Sequence, residues 1–288
     1  MSKRALFVHA HPDDETINNG VTMAKYAEQG YEVALVTCTR GEEGEILVPE
    51  LAVAASDRED RLAEIREVEL ANALRALGVD RHWFLGSPNR QFRDSGMMGM
   101  PQNSRSDVFW NADVSEAAEL LAQYIIDFKP HVMITYDEFG GYGHPDHIKA
   151  HKVAMRASEL AAEKNFGKGE LWDIPKIYWN IMPRSVVEEG MKQMKDVGAD
   201  LFGSENIDDL PFVKPDELVT AAIEGEAFLD KKMAALAEHK TQINLDEPFF
   251  ALQNSSGKNV WGTEYYTQVK GEKSKKVDAR GYVTDLFD

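Results

Sequence analysis

The sequence predicts an α/β fold, a Rossmann-like and mostly parallel sheet with helices on both faces, followed by a C-terminal elaboration. Three observations lead there. Short apolar runs alternate with amphipathic helical patterns through residues 1–165. The first run, Ala5-Leu6-Phe7-Val8, passes through a polar loop into a helical pattern, which is one βα unit. Two loops dense in His and Asp each follow a strand-like run, and ligands of such sheets bind outside the carboxyl ends of strands.

Taken in order, residues 17–29 read as a helix stopped by Gly30. Residues 32–39 (EVALVTCT) read as a second buried strand, and 40–56 as a loop carrying GEEGE. A charged helix is expected over 57–77, with an apolar stripe of Leu62, Ile65, Val68, Leu70 and Leu74, ended by Gly78. Residues 82–85 are a third strand. The long stretch 86–111 is loop, and a loop of that length in a compact domain usually serves function. A helix over 114–128 stops at Lys129-Pro130, a fourth strand follows at 131–136, and a polar loop at 137–146 leads into a helix through about Ala162.

Beyond that the pattern loosens. A fifth strand is expected at 176–182, a helix at 184–196 and an acidic loop at 202–216. Residues 219–223 fit a strand or a helix start; 227–243 fit a helix with a Leu229, Met233 and Leu236 stripe; and the segment with Trp261, Tyr265 and Tyr266 fits one more strand. No repeat or linker appears. The chain reads as one domain, 1–165 forming the core with a metal site and 166–288 an elaboration that completes a substrate cleft.

Composition narrows the partners. A net charge of −17 argues against nucleic acid and anionic membranes, both of which need basic patches. No run approaches the roughly 20 apolar residues of a membrane span, and the amino terminus lacks a signal pattern, so a cytoplasmic protein with a small-molecule substrate is expected. The single cysteine, Cys38, excludes an internal disulfide and a cysteine zinc site, and its apolar setting reads as core. Oligomeric state is not legible.

The chemistry concentrates in two segments. The first is His9-Ala10-His11-Pro12-Asp13-Asp14-Glu15; the second is Gly140-Gly141-Tyr142-Gly143-His144-Pro145-Asp146-His147. Four of the eight histidines lie in them. With a strand order of 3-2-1-4, strands 1 and 4 are neighbours and the two loops meet at one crevice. Two imidazoles and a carboxylate suit catalytic zinc, and iron or another divalent transition metal would also fit. Spacing alone selects two ligands among His11, Asp13 and Asp14, plus a histidine of the second loop. Adjacent Asp13 and Asp14 cannot easily face one ion together, so one is free to act as a base toward water.

HAHPDDE with GGYGHPDH resembles the LmbE/PIG-L family of zinc deacetylases, which remove acetyl groups from N-acetylglucosamine conjugates. The likeness extends to GEEGE at 41–45, RALG at 75–78, FRDSGMMG at 92–99 and HKTQ at 239–242. It implies an α/β deacetylase with one zinc per subunit held by His11, Asp14 and His147, and Asp13 as general base. It further implies that Tyr142 and His144 polarise the acetyl carbonyl and protonate the leaving amine, the latter as a histidinium. Arg66 and Asp94 would hold sugar hydroxyls, and Asn18, Glu45 and Met97 would line the cleft. The nearest branch acts on an inositol-linked glucosaminide of mycothiol biosynthesis. A sister branch cleaves mycothiol S-conjugates and tends to carry Lys where Asn18 stands, which favours the deacetylase.

Other readings are weaker. A nucleotide-binding oxidoreductase would show G-x-G-x-x-G after the first strand, where HPDDE would repel a pyrophosphate. A metallo-β-lactamase-type hydrolase would not give βα alternation. For single residues the plain alternatives are a packing role for His9, a helix cap for Asp13, a surface ion pair for Arg66, an Asp-Ser-Gly turn for Asp94 and a helix-end charge for His239.

Overall fold

Arg4–His9 forms strand β1 at the centre of the sheet, and five of its six residues are fully shielded from solvent or nearly so. Its side chains alternate between two apolar layers. Leu6 and Val8 join Ala34 and Val36 on one face, Ala5 and Phe7 join Val33 and Leu35 on the other. A strand buried on both faces needs an unbroken apolar run, which is what this segment supplies. Cutting Phe7 back to Ala would cost about 3–5 kcal/mol.

The computed structural model describes residues 2–164, 166, 170–196, 206–247 and 261–288. Strands β2 (Glu32–Thr37) and β4 (Val132–Thr135) flank β1, and both run parallel to it. With β3 (Arg81–Phe84), β5 (Lys176–Pro183), β7 (Ala221–Glu224) and β8 (Thr263–Lys270), the order is β3-β2-β1-β4-β5-β8-β7. The two-residue β6 (Val213–Lys214) pairs with the end of β5. The expected 3-2-1-4 order therefore holds, and β8 adds an antiparallel step that lets the C-terminal half extend the same sheet.

Helices α3 (Val114–Phe128) and α5 (Pro145–Ala162) cover the Leu6 face. Helices α1 (Asp14–Glu28) and α2 (Leu62–Leu77) cover the Phe7 face. A single turn, α4 (Gly140–Gly143), precedes α5; α6 (Arg184–Asp196) and α7 (Leu229–Leu236) belong to the C-terminal half.

Several boundaries differ from expectation. Helix α1 starts at Asp14 because the Asp13 carbonyl already accepts the Thr16 and Ile17 amides. Helix α2 starts at Leu62, since 55–61 fold into turns in which the Asp60 and Arg61 amides return to Ala55 and Ala54. Helix α7 ends at Leu236 rather than Ile243, where the chain turns to bring His239 and Thr241 to buried carboxylates. Residues 219–223 resolve in favour of strand β7. Within the expected 202–216 loop, 206–216 contains short turns and β6, while 202–205 lie outside the described residues.

Candidate active site

Because β1 and β4 are adjacent, their carboxyl ends deliver the two histidine loops to one place. Nδ1 of His11 lies 3.3 Å from Nε2 of His147. Asp14 spans the pair, with Oδ2 at 3.3 Å from His11 Nδ1 and Oδ1 at 3.3 Å from His147 Nε2. All three residues are buried.

The outward nitrogens of both rings are occupied. His11 Nε2 faces Asp146 Oδ2 at 3.2 Å and Asp94 Oδ1 at 3.5 Å, so it carries a proton and donates. His147 Nδ1 lies 3.2 Å from the Gly140 carbonyl and donates to it. These contacts leave His11 Nδ1 and His147 Nε2 turned toward each other and toward the Asp14 carboxylate. Acceptors behind ligating histidines fix ring orientation and tautomer in metal sites. The His11 Nδ1–His147 Nε2 separation is close to the edge of about 3.3–3.4 Å expected between two ligands on an ion with bonds of about 2.0–2.1 Å, and one Asp14 oxygen lies equally near each nitrogen, so the chemistry of the donor set suits zinc. His144 also brings a ring nitrogen within 4.8 Å of donor atoms of His11 and His147; Asp94 and Asp146 form a second such group with His11.

The charge balance agrees. Burial alone would depress the His11 pKa, yet Asp94, Asp14 and Asp146 hold it well above the usual value. Burial would raise Asp14, yet His147 and His11 hold it well below the ordinary carboxylate range. The pocket thus attracts positive charge to the point where the three donors meet.

Asp13 is turned away from those donors. It takes the N-cap position of α1 without capping it, at φ 112°, a region rarely used by residues other than glycine. Its Oδ2 accepts from Arg66 at 3.0 Å. Burial pushes its pKa up to about 6, with Arg66 opposing and Asp14 and Glu15 adding to the rise. A carboxylate so tuned is suited to accept a proton near neutral pH.

The second loop presents two further groups. His144 caps α5, its Nδ1 accepting the Asp146 amide at 3.1 Å. The other nitrogen, Nε2, is then the one that carries hydrogen. Burial, then His11 and His147, push its pKa down to about 2. His144 is a neutral Nε2–H donor here, not the histidinium expected from sequence. The Tyr142 ring lies 5.0 Å from that of His147 and is 43% exposed, a reachable phenol at the rim.

The remaining candidates separate. Asn18 sits one turn into α1, its side-chain amide donating to the Asp14 carbonyl. Glu45 and Met97 are exposed, Met97 at 52%. Arg66 and Asp94, for which the resemblance implies a sugar contact, are 3% and 4% exposed. Arg66 donates to Asp13 and to the carbonyls of Pro12 and Gly41, and a Cβ on Gly41 would fall 2.0 Å from its Nη1. Asp94 accepts from the Gly96 and Glu43 amides beside His11. His9 packs as expected, 2.7 Å from Asn19 Oδ1 and edge-on to Tyr136.

Sequence reasoning missed Asp146, Tyr136 and Glu15. Tyr136 stacks on His147 at 4.3 Å and accepts the Ala10 amide. Asp146 had a signal, since HPDH repeats the HPD of the first loop with an acid just before a ligand.

Fold and site together define a metal-dependent hydrolase of the α/β type. The chain belongs to the PIG-L family, described as GlcNAc-PI de-N-acetylase, which matches residues 6–158 and is a family of metal-dependent deacetylases. Among curated relatives, the 1D-myo-inositol 2-acetamido-2-deoxy-alpha-D-glucopyranoside deacetylase 1 of Catenulispora acidiphila is 53% identical over 290 residues, covering 99% of this chain and 89% of the relative. Two solved structures share the fold. The N,N'-diacetylchitobiose deacetylase of Pyrococcus horikoshii has a TM-score of 0.59 at 21% identity, covering 94% of this chain and 85% of that one. GalB, the 4-carboxy-2-hydroxymuconate hydratase of Pseudomonas putida, has a TM-score of 0.63 at 20% identity, covering 96% and 100%. One fold hosts a deacetylase and a hydratase, so the reaction must be argued from the site.

Proposed function

We propose that this protein removes the acetyl group from an inositol-linked N-acetylglucosaminide, the 1D-myo-inositol 2-acetamido-2-deoxy-alpha-D-glucopyranoside of mycothiol biosynthesis. One observation supports the reaction class: His11 and Asp14 of the first loop and His147 of the second meet through contacts of 3.3 Å, and Asp13, next to Asp14 in the chain, keeps its carboxylate off that group and on Arg66. The substrate named for the Catenulispora acidiphila relative supports the specificity.

In this reading His11, Asp14 and His147 would hold one zinc ion, with ferrous iron the next best fit. A bound divalent cation lowers the pKa of water and polarises an acyl oxygen. Asp13 takes a proton from the attacking water. Tyr142 and the Nε2–H of His144 donate hydrogen bonds to the acetyl oxygen as negative charge develops there, and as the C–N bond breaks the departing amine receives the proton that Asp13 took from the water. Asn18, Glu45 and Met97 form the reachable walls of the cleft, with Arg66 and Asp94 setting Asp13 and His11 beneath them. Residues 166–288 act with 1–165 as one domain and complete the cleft. Among the described residues no helix is long and apolar enough to cross a membrane. A small glycoside substrate and a net charge of −17 fit a cytoplasmic enzyme.

The test is mass spectrometric detection of free amine from the acetylated inositol glucosaminide, with and without chelator. Chelator-sensitive release is expected. The sister activity is judged by kcat/KM on a mycothiol S-conjugate; a higher value there would overturn the substrate assignment.

A further inference from the structure

Asp13 holds a backbone conformation that a residue with a side chain rarely adopts, so something must keep it there. Arg66 grips it from one side through its carboxylate and the neighbouring Pro12 carbonyl. The other side is held by a chain of buried contacts that reaches into the C-terminal half. The Asp13 amide donates to Glu15 Oε2 at 2.9 Å. Glu15 Oε1 lies 3.0 Å from His239 Nε2, and both residues are fully buried.

His239 is itself fastened. Two residues on, the Thr241 amide and hydroxyl donate to the two oxygens of Glu69 at 2.8 and 2.7 Å. Glu69 lies on α2, one turn from Arg66, and both are buried on that helix. The contacts therefore close a ring: Asp13, Arg66, Glu69, Thr241, His239, Glu15 and back to the Asp13 amide. This ring accounts for the early end of α7, since a helix continuing to Ile243 would carry His239 and Thr241 away from their carboxylates.

We propose that His239 is a positioning residue, holding the Asp13 backbone and hence the aim of its carboxylate through Glu15. The proposal rests on the reading of Asp13 as the base. It assigns a task in the reaction to the 239–242 turn, which the sequence marks as part of the family likeness and as a helix end but gives no role.

The experiment compares His239→Gln, His239→Asn and His239→Leu in the full-length, metal-loaded protein. Glutamine places an amide donor near the position of Nε2, asparagine is too short to do so, and leucine has no donor. The expected result is kcat within threefold of wild type for His239→Gln. His239→Asn and His239→Leu are expected to lose about 10–100-fold, the usual cost of losing a supporting partner at such a site. KM and bound metal should change less than twofold, and a crystal structure of His239→Asn should show the 3.0 Å Asp13–Arg66 contact opened.

Asparagine and glutamine differ by one methylene, so the pair keeps the comparison valid even if His239→Leu fails to fold. In an Asp13→Ala background the His239→Asn change should cost less than twofold. Equal kcat for the two amide variants, a loss expressed in KM or metal content, or a full loss persisting without Asp13 would each overturn the proposal. Retained turnover in Asp13→Ala alone would instead overturn the base assignment, so the two failures are distinguishable.

Discussion

His11 Nδ1 and His147 Nε2 stand 3.3 Å apart although 136 positions separate the residues. With Asp14 completing the group, removal of one imidazole should abolish tight metal binding, whereas Asp13 has its carboxylate on Arg66 and should be dispensable for it. His147→Ala is expected to emerge from purification without stoichiometric metal. Asp13→Ala should keep its metal and lose about 10²–10⁴-fold in kcat, the usual worth of a positioned base. Metal analysis beside steady-state turnover checks both; near-full kcat in Asp13→Ala would refute the base.

Gly140 supports the same centre from behind. Its carbonyl accepts from His147 Nδ1, it sits at φ 66°, and a Cβ there would fall 2.6 Å from the His147 Cβ and the Ile148 amide nitrogen. Gly140→Ala must displace the ligand or the turn that orients it. Metal affinity is expected to fall about 10–100-fold, measured by competition with a chromophoric chelator. Unchanged affinity would show that His147 is oriented by its stack on Tyr136 instead.

How much of this is legible in the sequence follows from what periodicity and motif can carry. The strands of the core and helices α3 and α5 come through because continuous apolar runs and capped amphipathic stretches are local signals. The crevice between β1 and β4 follows from topology, so two loops distant in sequence can be joined before any coordinates are known. The buried employment of Arg66 and Asp94 cannot be read, because it depends on which backbone carbonyls and amides face them after folding. The end of α7 escapes the pattern for the same reason: tertiary contacts to Glu15 and Glu69 override a helical periodicity that continues in sequence. The His144 tautomer depends on the backbone amide of Asp146, which no residue pattern reveals.

That tautomer separates two jobs of one side chain. Nδ1 of His144 caps α5, and Nε2–H is left to donate toward the substrate. His144→Ala should therefore lower kcat about 10²–10³-fold, as removal of one oxyanion donor does, and lower stability by about 1 kcal/mol through the lost cap. Asparagine caps well, so His144→Asn should recover most of the stability while turnover stays low. Thermal unfolding and kcat measured on both variants decide this. Parallel recovery of the two would mean that His144 serves the fold alone.

Asp13 is expected to trade stability for function, and the sign can be worked out. Burial pushes its pKa up to about 6 against Arg66, so the folded state binds this proton more tightly than the unfolded chain, whose carboxyl titrates near 3.9. At pH 7 the ionised carboxylate then costs the fold, and acidification from about pH 6 to 4 removes that cost. Asp13→Asn keeps the shape, tolerates positive φ somewhat better and carries no charge. In metal-free protein at pH 7 it should be more stable than wild type by roughly 1–3 kcal/mol, since a tenfold difference in proton affinity between the two states is worth about 1.4 kcal/mol. The advantage should shrink below pH 4, where the wild-type carboxyl is protonated in both states, and should also shrink on adding metal, because a nearby cation favours the ionised form. Urea unfolding of chelator-treated protein at pH 7 and pH 4 tests this. A less stable variant at pH 7 would mean that the contact with Arg66 outweighs burial, and that this loop stabilises the fold instead of straining it.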